Sequence, residues 1–314
     1  MNRPLILYAL IFLMVAFWSG NYIVGKIALR ELPPLLVAGL RIGFAGLMIL
    51  PFWAWQWFRE SACATKTNPV SAGVGQALSP AKSIISGHRV ILRLLLLGVF
   101  GVTLNQLFFI VGLSRTSVAH AAILIGLTPV QVLILACLRG QERMTFQRAA
   151  GMAIALAGVA LLKAFEPAAA AGATWLGDLF TFLAGTFFAI FTVFGKEVTK
   201  LHSAVTVNAY AYVGGAVALA PVTLWEISRH PLAHISAAAW LAVLYMALFS
   251  SVIAYLIYYY ALTHVAASRV SAFSYLQPVF ATAMGAAILR EPVGAPVIAG
   301  GLVILSGVYL VERG

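Results

Sequence analysis

Residues 129–158 read PVQVLILACLRGQERMTFQRAAGMAIALAG, and residues 278–307 read PVFATAMGAAILREPVGAPVIAGGLVILSG. Set against each other at a shift of 149, Pro129 meets Pro278, Glu142 meets Glu291, Gly151 meets Gly300 and Gly158 meets Gly307. No gap is needed anywhere from 113 to 163. Proline removes a backbone donor, and glycine lets a backbone come close to its neighbour. Matches on these residues, and on a glutamate between two apolar runs, mark a repeated backbone path. The repeat also extends upstream. The first apolar run matches the sixth at a shift of 170, with Gly25-Lys26 meeting Gly195-Lys196.

The composition says which solvent this repeat lives in. Of 314 residues, 62% are hydrophobic and only 9% charged, against roughly a quarter charged in a soluble domain. A membrane span takes about 20 apolar residues. Apolar runs bounded by charge, proline or glycine fall at 4–27, 33–58, 90–112, 116–138, 146–163, 175–196, 203–225, 238–262, 265–288 and 296–311. The expected fold is therefore an all-α integral membrane protein of ten transmembrane helices, with no separate soluble domain. Residues 1–163 form a first repeat of five helices and 175–314 a second, joined by an Ala-rich linker over 164–174. The Ser/Ala/Gly-rich stretch 59–89 reads as a flexible loop and absorbs the difference between the two shifts.

Five is odd, so the second half must enter the membrane from the opposite side and the two repeats are inverted. Lysine and arginine placement sets the orientation. With the N-terminus in the cytosol, Arg30, Arg115, Lys163, Arg229 and Arg290 fall outside and Lys26 and Arg41 within spans. The rest of the 20 basic residues are cytosolic. Both termini are expected in the cytosol, and the 59–89 loop with them. The net charge of +11 is thus a matter of topology, not of nucleic-acid binding. The N-terminal apolar run is too long for a signal-peptide core and lacks a clear cleavage site, so it is expected to remain as the first span. Cys63 and Cys137 have neither metal nor disulfide spacing, and His230 and His234, with Pro231 between them, do not read as a metal pair. No P-loop, H-E-x-x-H or G-x-S-x-G sequence occurs. No cofactor is expected.

The first span carries Trp18-Ser19-Gly20-Asn21 and then Gly25-Lys26; the second carries a Pro34-to-Arg41 segment. Twice, a mid-helix proline is followed thirteen residues later by glutamate and then by a glycine-bearing terminal helix. Over essentially its whole length the chain resembles an EamA-type member of the drug/metabolite transporter superfamily. That resemblance implies a metabolite exporter or exchanger with a central cavity between its halves. Inverted repeats lead the same way, because transporters built from them hold substrate at the repeat interface.

Polar residues inside the spans are the candidates for substrate binding. Arg41 lies roughly 12 Å past the start of its helix at about 1.5 Å per residue, and an arginine at mid-membrane costs about 2.5–3.5 kcal/mol on insertion scales. It either faces the cavity and attracts an anionic group, or satisfies backbone carbonyls of a neighbouring helix. Asn21, Asn105 and Gln106 need partners in lipid, from helix packing or from a cavity. Trp18 and Phe188 are equivalent at shift 170 and are candidate walls, as are Tyr255 and Tyr275. Tyr258, Tyr259 and Tyr260 resemble an interfacial belt, as do Trp53, Trp55 and Trp57. Pro129 and Pro278 free the carbonyls of Ile125 and Ser274 and read either as hinges and sources of mid-membrane polar groups or as tolerated kinks, with Thr128 and Gln277 directly before them as further candidates. His120 and Arg269 match at shift 149 and read either as entrance attractors or as snorkelling interface residues. Glu142 and Glu291 read as helix caps, and the glycines seven apart in the fifth and tenth spans as packing faces.

The expected function is secondary transport, as an exporter, of a small organic metabolite such as an amino acid, by alternating access. The expected location is a bacterial inner membrane, with lipid and a small-molecule substrate as partners. Two alternatives stand beside it. A cationic multidrug exporter would want a carboxylate deep in the membrane, whereas the acidic residues lie at span ends or in loops. A membrane-embedded transferase would need clustered acids, bases or nucleophiles near one interface.

Overall fold

The computed structural model describes residues 3–66, 88–115, 121, 124–164, 174–198, 202–289 and 295–313. Most of the 59–89 loop, the body of the linker, His120 and Glu291 lie outside them.

The described residues are almost entirely helical. In chain order α1 spans Arg3–Ala28, α2 Pro34–Lys66, α3 His88–Gly98 and α4 Asn105–Arg115. Then come α5 Thr128–Leu138, α6 Phe146–Ala164, α7 Trp175–Val198 and α8 Ala204–Arg229. The last elements are α9 Ala237–Ala247, α10 Ala254–His264, a short α11 Ala267–Ala272, α12 Gln277–Leu289 and α13 Ala295–Arg313. Among the described residues six stretches are long and apolar enough to cross a membrane: Leu5–Ala28, Pro34–Arg59, Ile91–Arg115, Trp175–Val198, Ala204–Arg229 and Ala237–His264. Leu124–Leu138 and Ile298–Val311 are shorter apolar helices.

One expectation is corrected directly. The helix α2 runs through Lys66, well into the stretch read as loop from residue 59. Its last residues include Ala62 and Ala64, and no helix breaker occurs until Pro69.

Two of the long helices are not continuous α-helix. Between α3 and α4 lies a π turn, Val99–Leu104, and between α9 and α10 another, Leu248–Ile253. Their first residues are 149 apart, the shift that aligns the repeats. Helices α5 and α12 also begin at equivalent residues, Thr128 and Gln277. In each, the proline is the second residue of its α-helical segment, and Pro129 lies within the apolar helical stretch Leu124–Leu138 just after a turn at Leu127. In α5 the turn is closed by Val130 and Gln131 N–H groups donating to the Leu127 carbonyl. Ahead of Pro278 the backbone tightens into a 3-10 turn, Phe273–Leu276.

The glycine faces pack as expected. A Cβ placed on Gly158 would stand 2.8 Å from the Ile304 backbone nitrogen and 3.0 Å from the Gly300 carbonyl. One on Gly151 would stand 2.8 Å from the Val311 nitrogen and 2.9 Å from the Gly307 carbonyl. Helices α6 and α13 thus meet backbone to backbone, an arrangement small residues permit.

Burial is arranged as in a chain surrounded by lipid. Leu5, Leu47, Phe52, Leu138 and Phe146 are exposed, while Asn21, Arg41, Asn105, Gln106, Asn208 and Gln277 are buried. Guanidinium groups stack over aromatic rings, Arg59 on Trp55 within α2, and Arg229 on Trp225 and Arg313 on Tyr309 at helix ends. Trp55, Trp57 and Tyr260 are exposed, but Tyr258 and Tyr259 are fully buried and Trp53 packs on Tyr210. The expected belt therefore loses Trp53, Tyr258 and Tyr259. Successive helical residues point about 100° apart, so a run of tyrosines cannot share one face.

Candidate functional site

Arg41 lies two turns into α2, on the face turned toward the π turn of the second half. Its Nε donates to Ser251 Oγ at 2.9 Å, and Ser251 Oγ donates in turn to the Met246 carbonyl at 2.8 Å. The side chain is 1% exposed, and among the described residues its Nη1 has no hydrogen-bond partner. The expected alternative, that Arg41 satisfies backbone carbonyls, is not what its Nε does. A π turn puts one extra residue into a helical turn, and this one is held by side chains from elsewhere. Trp18 Nε1 donates to the Ser250 carbonyl at 3.0 Å, and Asn208 Nδ2 to the Val252 carbonyl at 3.3 Å.

Around Arg41 lies a partly open cavity of about 70 Å³. Nine of the residues singled out from sequence line it: Trp18, Asn21 and Arg41 from the first two helices, Asn105, Gln106 and Thr128 from α4 and α5, and Phe188, Tyr255 and Gln277 from the second half. Tyr275 does not. It is fully buried with its hydroxyl unpartnered among the described residues, packed away from the cavity in the 3-10 turn before α12. Pro129 and Pro278 are also not among the lining residues, but Ile125 and Ser274, four residues before each, are. Arg269 lies elsewhere, in a second pocket.

Three lining groups carry unpartnered polar atoms among the described residues: Arg41 Nη1, Asn21 Oδ1 and Thr128 Oγ1. The other amides are committed. Asn105 Nδ2 donates to the Ala184 carbonyl at 2.9 Å, Gln106 Nε2 donates to the Tyr255 hydroxyl at 2.9 Å, and Gln277 Oε1 accepts from the Tyr22 hydroxyl at 3.3 Å. Tyr255 offers its proton either to Asn105 Oδ1 at 3.2 Å or to the Gly101 carbonyl at 3.3 Å. None of the lining residues is acidic.

One end of the cavity is walled by stacked rings. Trp18 meets Phe188 edge-on at 5.6 Å, Tyr255 at 5.8 Å and Tyr258 at 5.5 Å. Behind them Tyr258 and Thr192 hydroxyls lie 2.5 Å apart, and Phe191 packs on Tyr259 at 5.3 Å. The sequence reading missed Tyr22 and Phe109, which pack edge-on at 5.4 Å and line the cavity. Tyr22 lies four residues past Trp18, one helical turn on the same face, and that spacing was its available signal. Ser251 gave none, since one serine in an apolar run is ordinary.

Beyond the cavity, carboxylates from the first half hold helix starts of the second. Glu31 accepts from Ser236 Oγ at 2.6 Å and from Ser236 N–H at 2.7 Å, and these bonds hold its carboxyl below the usual range. Glu142 accepts from Ser268 N–H at 3.1 Å and from Ser268 Oγ, and pairs with Arg148 at 3.2 Å. It was expected to cap the next helix in sequence. It serves α11 instead, because the fold brings that helix start across to it.

The sequence model of the EamA-like transporter family matches residues 5–164 and again 175–313. The chain belongs to the EamA-like transporter family. An "Uncharacterized transporter" of Archaeoglobus fulgidus is 28% identical over 309 residues, covering 96% of each chain. The "Uncharacterized transporter YyaM" of Bacillus subtilis is 30% identical, over 69% of this chain and 73% of its own. The "Uncharacterized inner membrane transporter YedA" of Escherichia coli is 25% identical, over 91% and 83%. A solved crystal structure, 16% identical, matches with a TM-score of 0.74 over 99% of this chain and 98% of that one, a likeness in fold alone. This EamA-like chain is an integral membrane transporter.

Proposed function

We propose that this EamA-like protein is a secondary transporter that exports a small organic metabolite carrying a carboxylate, such as an amino acid, by alternating access. The observation that carries this reading is Arg41, a buried arginine in the cavity with a neutral serine as its partner. A buried charge is costly unless paired, and no acidic side chain lines this cavity. A substrate carboxylate supplies the missing partner, in the planar geometry a guanidinium fork accepts. Asn21 Oδ1 and Thr128 Oγ1 accept hydrogen bonds from a donor such as the substrate's ammonium group, and the rings of Trp18, Tyr22, Phe109, Phe188 and Tyr255 surround its apolar part.

In this reading ten transmembrane helices form two inverted five-helix repeats, 1–163 and 175–314, with both termini in the cytosol of a bacterial inner membrane. The two family matches, and the π turns and prolines at equal spacing, support it. The hinges are Pro129 and Pro278. A cationic substrate is disfavoured by the same arginine. The test is counterflow in proteoliposomes with amino acids, nucleosides and cationic dyes. Exchange of a carboxylate-bearing compound is expected; exchange of cationic dyes alone would overturn the reading.

A further inference from the structure

A second pocket lies apart from the cavity, open to its surroundings and about 580 Å³ in volume. It is bounded by the α5–α6 loop and first turn of α6 (Arg143, Arg148), the end of α7 (Lys196), and the α10–α11 junction (His264, Arg269). Among the described residues that line it four are basic, and Glu142 is the one acid. That acid accepts from Ser268 and pairs with Arg148, and Lys196 donates to the Val265 carbonyl at 3.2 Å. Arg148 Nε is buried without a hydrogen-bond partner among the described residues. Arg143 is exposed. Basic residues scattered over a membrane face serve topology; here three separate elements bring them to one concavity.

The surroundings indicate what fills it. Beside the basic residues, on the same loop and helix ends, Leu138 is 78% exposed, Met144 50% and Phe146 89%. Arg139 stacks on Phe194 near the end of α7, as a guanidinium does at a membrane interface. A free anion needs only the charges. A phospholipid uses both features, its phosphate among the guanidinium groups and its chains along the exposed apolar residues. Basic pockets between transmembrane helices are suited to such headgroups.

We propose that this pocket binds the phosphate of an anionic phospholipid. The bound phosphate joins the α5–α6 loop to the α10–α11 junction, the same elements that Glu142 and Ser268 tie together. The site is independent of the proposed transport reaction, since it shares no residue with the Arg41 cavity.

The test uses the purified full chain in detergent with dioctanoyl phosphatidylglycerol, dioctanoyl phosphatidylcholine or inorganic phosphate, read by thermal melting and by native mass spectrometry. Phosphatidylglycerol is expected to raise the melting temperature saturably and to remain bound, and the other two at equal concentration are not. Arg143→Glu places an acid in the pocket at an exposed position. It should weaken phosphatidylglycerol binding about tenfold or more while leaving the lipid-free melting temperature unchanged. Arg143→Gln, which adds no repulsion, should give a smaller loss in the same direction. Equal protection by phosphatidylcholine, or undiminished phosphatidylglycerol binding in both variants, overturns the proposal. Equal protection by inorganic phosphate overturns the lipid assignment in favour of a free anion. No transport substrate is present, so the outcome says nothing for or against the carboxylate reading of the cavity.

Discussion

Arg41 and Ser251 stand 210 residues apart in sequence, and their hydrogen bond fixes one nitrogen of the guanidinium while Nη1 has no hydrogen-bond partner among the described residues. A charge in so poorly screened a place interacts strongly with an opposite one, and a charge-assisted hydrogen bond is worth about 1.5–3 kcal/mol. Arg41→Gln should therefore weaken binding of a carboxylate substrate by about 10- to 100-fold. Arg41→Lys, which keeps the charge but loses the fork, should weaken it less. Isothermal titration and melting curves on the same preparations check this. A Gln variant of unchanged affinity and stability would remove Arg41 from the site, and lost stability with unchanged affinity would make it a packing residue. The arginine was readable as important because it interrupts an apolar run. Which neighbour it meets was not, since Ser251 becomes special only where a π turn aims it across the repeat interface.

Among the elements, α6 and α13 bear the clearest division of labour. Neither contributes a residue to the Arg41 cavity, and their glycines bring two backbones into contact. Gly158→Leu would drive a side chain against the Ile304 backbone, which cannot retreat without moving its helix. Overpacking of this kind costs about 1–3 kcal/mol. The expected result is a lower melting temperature with substrate affinity retained within about twofold, checked on the folded fraction. Loss of affinity at full stability would show that this pair shapes the cavity. The spacing of seven marked the glycines as sharing a face, but not which helix that face would meet. The prolines show a similar limit. Their repeat positions were plain, yet the turn at Leu127 and the 3-10 turn Phe273–Leu276 just ahead of them were not.

For the molecule as a whole, the proposed inverted arrangement makes a topological prediction. Reporter fusions within 66–82 and after Arg313 should report cytosol, and fusions within 166–172 the opposite side. A cytosolic signal at 166–172 would require an even number of spans in the first half and would end the inverted-repeat reading. The sequence by itself determined the solvent, because so few charged residues cannot cover a water-facing surface. It also determined the repeat, because proline and glycine at fixed spacing constrain the backbone wherever they occur. Trp18, Phe188, Tyr255 and the polar candidates Asn21, Arg41, Asn105, Gln106, Thr128 and Gln277 share one cavity, the polar ones because such groups in apolar spans must turn inward. Only the tertiary structure decided that Tyr275 is left out, that Tyr258 and Tyr259 are core instead of belt, and that Glu142 serves a helix 126 residues away. These depend on helix rotation and on contacts between distant segments. Periodicity fixes which residues share a face of a helix, but packing against the other helices decides where that face looks.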